Sequence, residues 1–120
     1  MPPGIDALDP QNRLVVAVGP LTATPVPGSC RYHVVGKSPQ TTFTISVANS
    51  GGFFAPELKF AGYDAMVIQG AANKPVYIWI KDETIEIRDA GEIWGKDAFE
   101  TDDAIRKMLG DERIRVAAIG

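Results

Sequence analysis

The 120-residue chain is 45% hydrophobic and 22% charged, the composition of a soluble globular protein with one modest core. Its net charge is −3, and no basic cluster exceeds Arg106-Lys107, which argues against the basic stripe a nucleic-acid backbone requires. The single cysteine, Cys30, excludes an internal disulfide and any iron–sulfur cluster or cysteine-rich zinc site built from this chain alone.

The start, Met1-Pro2-Pro3-Gly4-Ile5-Asp6, has neither the basic nor the apolar region of a secretory signal, so a cytoplasmic location is expected. The longest apolar runs, Leu14 to Val18 and Ala65 to Ile68, are far below a membrane span, and no membrane partner is expected.

In chain order, Arg13 to Val18 is a short apolar run closed by Gly19-Pro20, which predicts a buried strand. Leu21 to Ser29 holds Pro25, Pro27 and Gly28 and predicts a loop. Tyr32 to Lys37 reads as a second strand, stopped by Ser38-Pro39. Thr42 to Val47 alternates strong β-formers and predicts a third. Asn49-Ser50-Gly51-Gly52 then breaks the chain, and Phe53 to Phe60 suits a short helix that tolerates Pro56 only in its first turn. Gly62-Tyr63-Asp64 turns into a strand at Ala65 to Gln69. Val76 to Ile80 and Thr84 to Arg88 both alternate and form a hairpin through Lys81-Asp82-Glu83.

A helix is predicted over Thr101 to Leu109, with Thr101 as N-cap, Asp102 and Asp103 in the first turn, and Gly110 as the stop. Arg115 to Ile119 suggests a further strand whose edge is left unprotected. The sum is an α+β fold of mainly antiparallel or mixed sheet with one or two short helices, and residues 1–120 read as a single domain.

The common catalytic signatures are missing: there is no G-x-x-x-x-G-K-[ST] loop, G-x-G-x-x-G turn, G-x-S-x-G elbow or H-E-x-x-H pair. His33 reads as structural or surface, and Cys30 as a small residue filling a tight loop. The chemistry that remains lies between Gly19 and Lys59. Adjacent glycines at Gly51 and Gly52 let the backbone approach a ligand and turn N–H groups toward an anion. Arg31 supplies a planar fork for phosphate. These residues suit an anion or cofactor cradle. They suit better a pair of ordinary sheet loops with Arg31 in an ion pair.

An ordered set of short motifs bears on that choice. Val16 to Thr22 reads V-A-V-G-P-L-T and resembles the F-A-T-G-P-L-T of aldehyde ferredoxin oxidoreductases. Pro27 to Tyr32, P-G-S-C-R-Y, is similar to that family's P-G-S-G-R-Y, and Lys37-Ser38-Pro39 matches its K-S-P. Ala48 to Asp64, A-N-S-G-G-F-F-A-P-E-L-K-F-A-G-Y-D, resembles its N-S-G-G-[YF]-F-G-P-E-L-K-F-A-G-Y-D. Lys74-Pro75-Val76-Tyr77 and Ile93-Trp94-Gly95-Lys96-Asp97 follow in the same order. The resemblance runs from Pro2 to Gly120.

It implies the amino-terminal, cofactor-cradling domain of an enzyme that holds tungsten, or sometimes molybdenum, between two pterins beside a [4Fe–4S] cluster. Such enzymes oxidise aldehydes to carboxylic acids and pass the electrons to ferredoxin. Carried over by motif, Arg31 corresponds to an arginine that reaches a pterin phosphate. Asn49 corresponds to an asparagine whose backbone carbonyl holds the magnesium that bridges the two pterin phosphates. Gly51 corresponds to a backbone contact with the cofactor, and Ser50 lies between them as a further candidate.

The chain departs from the pattern at Cys30, where the family has glycine, and in Thr41 to Val47, which is slightly longer and lacks the usual glycines. The cluster cysteines, two D-x-x-G-L motifs and the substrate pocket belong to later parts of the family's sequence. The chain is therefore expected to be a fragment, inactive alone, whose partner is the remainder of the enzyme. The alternatives are a stand-alone binding or scaffold domain, or a non-functional truncated product.

Overall fold

The computed structural model describes residues 4–41 and 44–119. Among the described residues the secondary structure comprises six strands and two helices. The strands are β1 (Arg13–Val18), β2 (Tyr32–Lys37), β3 (Ile45–Ser50), β4 (Ala65–Gln69), β5 (Val76–Lys81) and β6 (Thr84–Asp89), and the helices are α1 (Phe54–Phe60) and α2 (Ala98–Leu109). The fold is α+β with antiparallel sheets. The chain divides into two compact units, Met1–Ala71 and Ala72–Gly120. No helix is long and apolar enough to cross a membrane, among the described residues.

The first unit is a four-stranded sheet in the order β3-β2-β1-β4. Register fixes its two faces, because residues opposite one another point the same way. Val16 pairs with Val34 and Met66, and Val34 with Ala48, so these share one face. Val16 is buried there, and Ala55 and Leu58 are buried in α1. Tyr32 belongs to this face and sets its ring 5.2 Å from that of Phe54 in α1. The opposite face carries Val15, Val35, Val47 and Val67 in one cross-sheet row, and Val47 and Val67 remain 60% and 61% exposed.

Two of the shared motifs turn out to be structural punctuation. Lys37 donates to the Ile5 carbonyl, and Ser38 Oγ accepts from the backbone N–H of Gln40 and Thr41 at 3.3 Å, so K-S-P anchors the turn after β2. The E-L-K-F-A-G-Y-D stretch ends α1. Gly62 adopts φ +98, its N–H reaches the Lys59 carbonyl at 3.0 Å, and the Tyr63 N–H reaches Leu58 at 3.1 Å. That is a Schellman closure, in which glycine takes the left-handed position, and Lys59 then pairs with Asp64 across the turn.

The second unit pairs β5 with β6. The link is the two-residue turn Asp82-Glu83, one residue tighter than anticipated, with Asp82 in the left-handed region at φ 51. Ala90, Ile93 and Ile105 form the buried core, with Tyr77, Leu109, Ile114 and Val116 packed against it. On the hairpin, Arg88 lies 3.9 Å over the Trp79 ring and bonds Glu86 at 2.8 Å. That carboxylate partner raises the Arg88 pKa.

Three sequence expectations are corrected. The third strand is Ile45–Ser50 rather than Thr42 to Val47, and Thr42 and Phe43 lie outside the described residues. Pairing with β2 carries the strand through Asn49 and Ser50, and this outweighs their weak β propensity. Helix α2 begins at Ala98, because Asp97 rather than Thr101 is the N-cap. The Asp97 side chain accepts from the Glu100 N–H at 2.8 Å, and the Glu100 carboxylate accepts from the Asp97 N–H at 3.4 Å. Arg115 to Ile119 forms no strand. Ile114 and Val116 instead pack on the core, so the expected open strand edge is not formed there.

Candidate functional site

Arg31 immediately precedes β2, and the loop before it is held by the G-P-L-T segment. The Thr22 N–H reaches the Gly19 carbonyl at 3.1 Å, and the Thr22 hydroxyl donates to the Ser29 carbonyl at 2.9 Å. Thr22 is 2% exposed, so this bond is shielded from water and fixes where the chain enters Cys30-Arg31. Ser29 Oγ in the same segment is buried without a hydrogen-bond partner, a locally unfavourable hydroxyl. Cys30 is exposed, which corrects its reading as a loop filler. Its backbone is outside the positive-φ region, so a side chain is tolerated where the family has glycine.

Asn49 lies on β3, directly opposite His33 on β2. The Ser38 N–H bonds the Thr44 carbonyl at 3.0 Å. Counting along the continuous register from there makes Gly36–Ser46, Val34–Ala48 and Tyr32–Ser50 the hydrogen-bonded pairs. His33–Asn49 is therefore a non-hydrogen-bonded pair. Its side chains are brought close, and the Asn49 backbone N–H and C=O point away from β2. Since β3 is an outer strand of the four-stranded sheet, the Asn49 carbonyl faces the sheet's free edge.

On this face Arg31 Nη1 donates to Asn49 Oδ1. The Asn49 amide nitrogen lies 3.5 and 3.4 Å from the two ring nitrogens of His33. Arg31, His33 and Asn49 are all exposed. Among the described residues Arg31 makes no ion pair. A guanidinium has five N–H donors, and the contact with Asn49 leaves most of its fork available.

Ser50 and Gly51 continue the chain, and Ser50 Oγ approaches the Gly51 carbonyl at 3.5 Å. Gly52 adopts φ +99 and needs glycine for its backbone. Gly51 does not: its φ is not positive, and a Cβ built there meets nothing within 4 Å. Neither backbone strain nor crowding among the described residues requires glycine at 51.

The structure thus brings Arg31 and Asn49 together, with Ser50 ending β3 and Gly51 directly after it. Sequence reading gives His33 a structural or surface role and places Thr22 only within the G-P-L-T motif. The two-residue alternation on paired strands could have placed His33 beside Asn49 only once the β3 register was known. Among the described residues no group of three or more His, Cys, Asp or Glu side chains is placed to hold a metal ion. A cation at this site would need carbonyl, water or phosphate oxygens, the set that suits magnesium. The exposed fork, the edge carbonyl and the unobstructed Gly51 together fit a magnesium-bridged phosphate group.

The family profile of the aldehyde ferredoxin oxidoreductase N-terminal domain matches residues 1–120. Tungsten-containing aldehyde ferredoxin oxidoreductases from Pyrococcus furiosus and Thermococcus kodakarensis are 59% and 54% identical over the whole chain. The chain spans 20% of the length of each of these relatives. Among solved structures, the active site complex BamBC of benzoyl coenzyme A reductase, in complex with 1,5-dienoyl-CoA, superposes with a TM-score of 0.90 at 42% identity. That match covers 94% of this chain and 17% of the other.

Proposed function

The chain belongs to the aldehyde ferredoxin oxidoreductase family, matching its N-terminal domain, and from that premise we propose that residues 1–120 form the domain that cradles a tungsten or molybdenum bis-pterin. Arg31 binds a pterin phosphate through its fork. The Asn49 backbone carbonyl would help hold the magnesium ion that accompanies the pterin phosphates, and Gly51, with Ser50 beside it, would offer backbone contacts. The observation that carries the reading is the pairing of Arg31 with Asn49 on the open face of the sheet, where the Asn49 carbonyl is turned to the free edge. When bound, the cofactor supplies the oxygen-transfer and redox chemistry, and the protein's part is to bind and orient it.

The remaining parts of the enzyme complete the function. The [4Fe–4S] cluster, the substrate pocket and the ferredoxin contact belong to regions beyond this domain. The whole protein oxidises aldehydes to carboxylic acids in the cytoplasm, and this domain alone does not catalyse. The structural kinship with a benzoyl coenzyme A reductase component supports a platform whose substrate is chosen elsewhere in the protein.

An Arg–phosphate hydrogen bond contributes about 1.5–3 kcal/mol, roughly tenfold or more in retention. In the complete enzyme, Arg31→Ala is expected to lower bound pterin and tungsten by about that factor, with the circular-dichroism spectrum unchanged because Arg31 is exposed. Unchanged cofactor content would remove the assignment.

A further inference from the structure

We infer that Thr22 is a positioning residue for the phosphate-binding fork, acting on Arg31 through the backbone of Ser29. The inference rests on the phosphate role of Arg31 proposed above and adds a part that the motif correspondence does not assign. The sheet holds Arg31 on one side only: the next residue, Tyr32, begins β2 and pairs with Val18 on β1 and with Ser50 on β3. The chain before Arg31 is loop, and there the Thr22 hydroxyl donates to the Ser29 carbonyl at 2.9 Å. The Arg31 backbone is thus fixed by the sheet at the residue after it and by Thr22 two residues before it.

The donor is itself held. The Thr22 N–H reaches the Gly19 carbonyl at 3.1 Å and the Thr24 N–H reaches the Leu21 carbonyl at 3.2 Å, so Thr22 lies within two successive turns. Its β-branched side chain has little rotamer freedom. It is also 2% exposed, which keeps water from competing for the Ser29 carbonyl. Buried this far, Thr22 reaches no ligand, and any effect on binding passes through Arg31. The guanidinium lies several bonds out from its Cα, so a small backbone rotation is magnified at the fork. A bidentate contact with phosphate is directional, and a fork already in place spares part of the ordering cost of binding.

The test is a double-mutant cycle in the complete enzyme, read as pterin and tungsten retained after dialysis. Thr22→Val keeps the shape of the side chain and removes the donor. It is expected to lower retention about three- to tenfold where Arg31 is present, and by less than about twofold where Arg31 is already alanine. Thr22→Ser keeps the donor and loses only the methyl group. Its retention is expected to stay within about twofold of the original.

Retention unchanged in Thr22→Val but lowered in Arg31→Ala would overturn the positioning role while leaving the phosphate reading intact. An equal loss in both backgrounds would overturn it as well, as a general weakening of the loop. So would a large loss in Thr22→Ser, which would assign the side chain a packing role. Retention that survives Arg31→Ala would instead overturn the phosphate reading itself and this inference with it. Where Thr22→Val yields no folded enzyme, the crystal structure of the unsubstituted, cofactor-loaded enzyme decides. The Thr22 hydroxyl is expected on the Ser29 carbonyl with a phosphate against the Arg31 fork, and a hydroxyl that has left that carbonyl overturns the inference.

Discussion

Thr22 decides where Arg31 begins. Its hydroxyl is buried and donates to the Ser29 carbonyl, closing a loop whose other end is Gly19. Replacing Thr22 with valine keeps the shape and removes the donor, which leaves a shielded carbonyl short of a partner. The expected cost is about 1–3 kcal/mol, seen as a lower denaturation midpoint with an unchanged slope. No loss of stability in Thr22→Val would show that water replaces the hydroxyl. Sequence alone marks G-P-L-T as a shared motif but not as a brace. The partner is seven residues away, across a loop in which Ala23 adopts φ 66, and no local propensity encodes that path. Arg31 and Asn49 could be picked out by motif, yet their side-chain contact depends on a register that only the folded sheet provides.

At the level of elements, every apolar alternation with a pairing partner became a strand: Arg13–Val18, Tyr32–Lys37, Ala65–Gln69 and both arms of the hairpin. The errors occurred where pairing or capping overrides local pattern. Asn49 and Ser50 look like a chain break but are held in β3 by His33 and Tyr32. The run Val116 to Ile119 looks like a strand but has no strand to pair with among the described residues. For α2 the start signal is present in the sequence, since D-x-x-E at Asp97 to Glu100 is a reciprocal cap, and the acidic pair Asp102-Asp103 mimics a first turn one turn further on. Asp97→Ala is expected to destabilise the second unit by about 1 kcal/mol and to fray the helix at Ala98 and Phe99. Amide exchange there is the measurement, and unaltered protection would mean that the cap contributes little.

Over the whole molecule, each unit buries only a few side chains. Among the described residues the first buries Val16, Ala55, Pro56 and Leu58 with Thr22 and Ser38, and the second Ala90, Ile93 and Ile105 with Thr101. Apolar side chains remain exposed on both, including Ile45 at 63% and Ile87 at 72%. Exposed apolar surface of this kind suits contact with further structure, and the chain spans 20% of the length of a relative it matches. The proposed part of this chain is to hold phosphate and magnesium at the edge of β3.

The direct measurement is the crystal structure of the cofactor-loaded enzyme with manganese exchanged for magnesium, which makes the bridging ion visible by its anomalous signal. An anomalous peak at about 2.0–2.2 Å from the Asn49 backbone carbonyl, with a pterin phosphate against the Arg31 fork, is the predicted result. A peak remote from Asn49, with phosphates clear of Arg31, would contradict it.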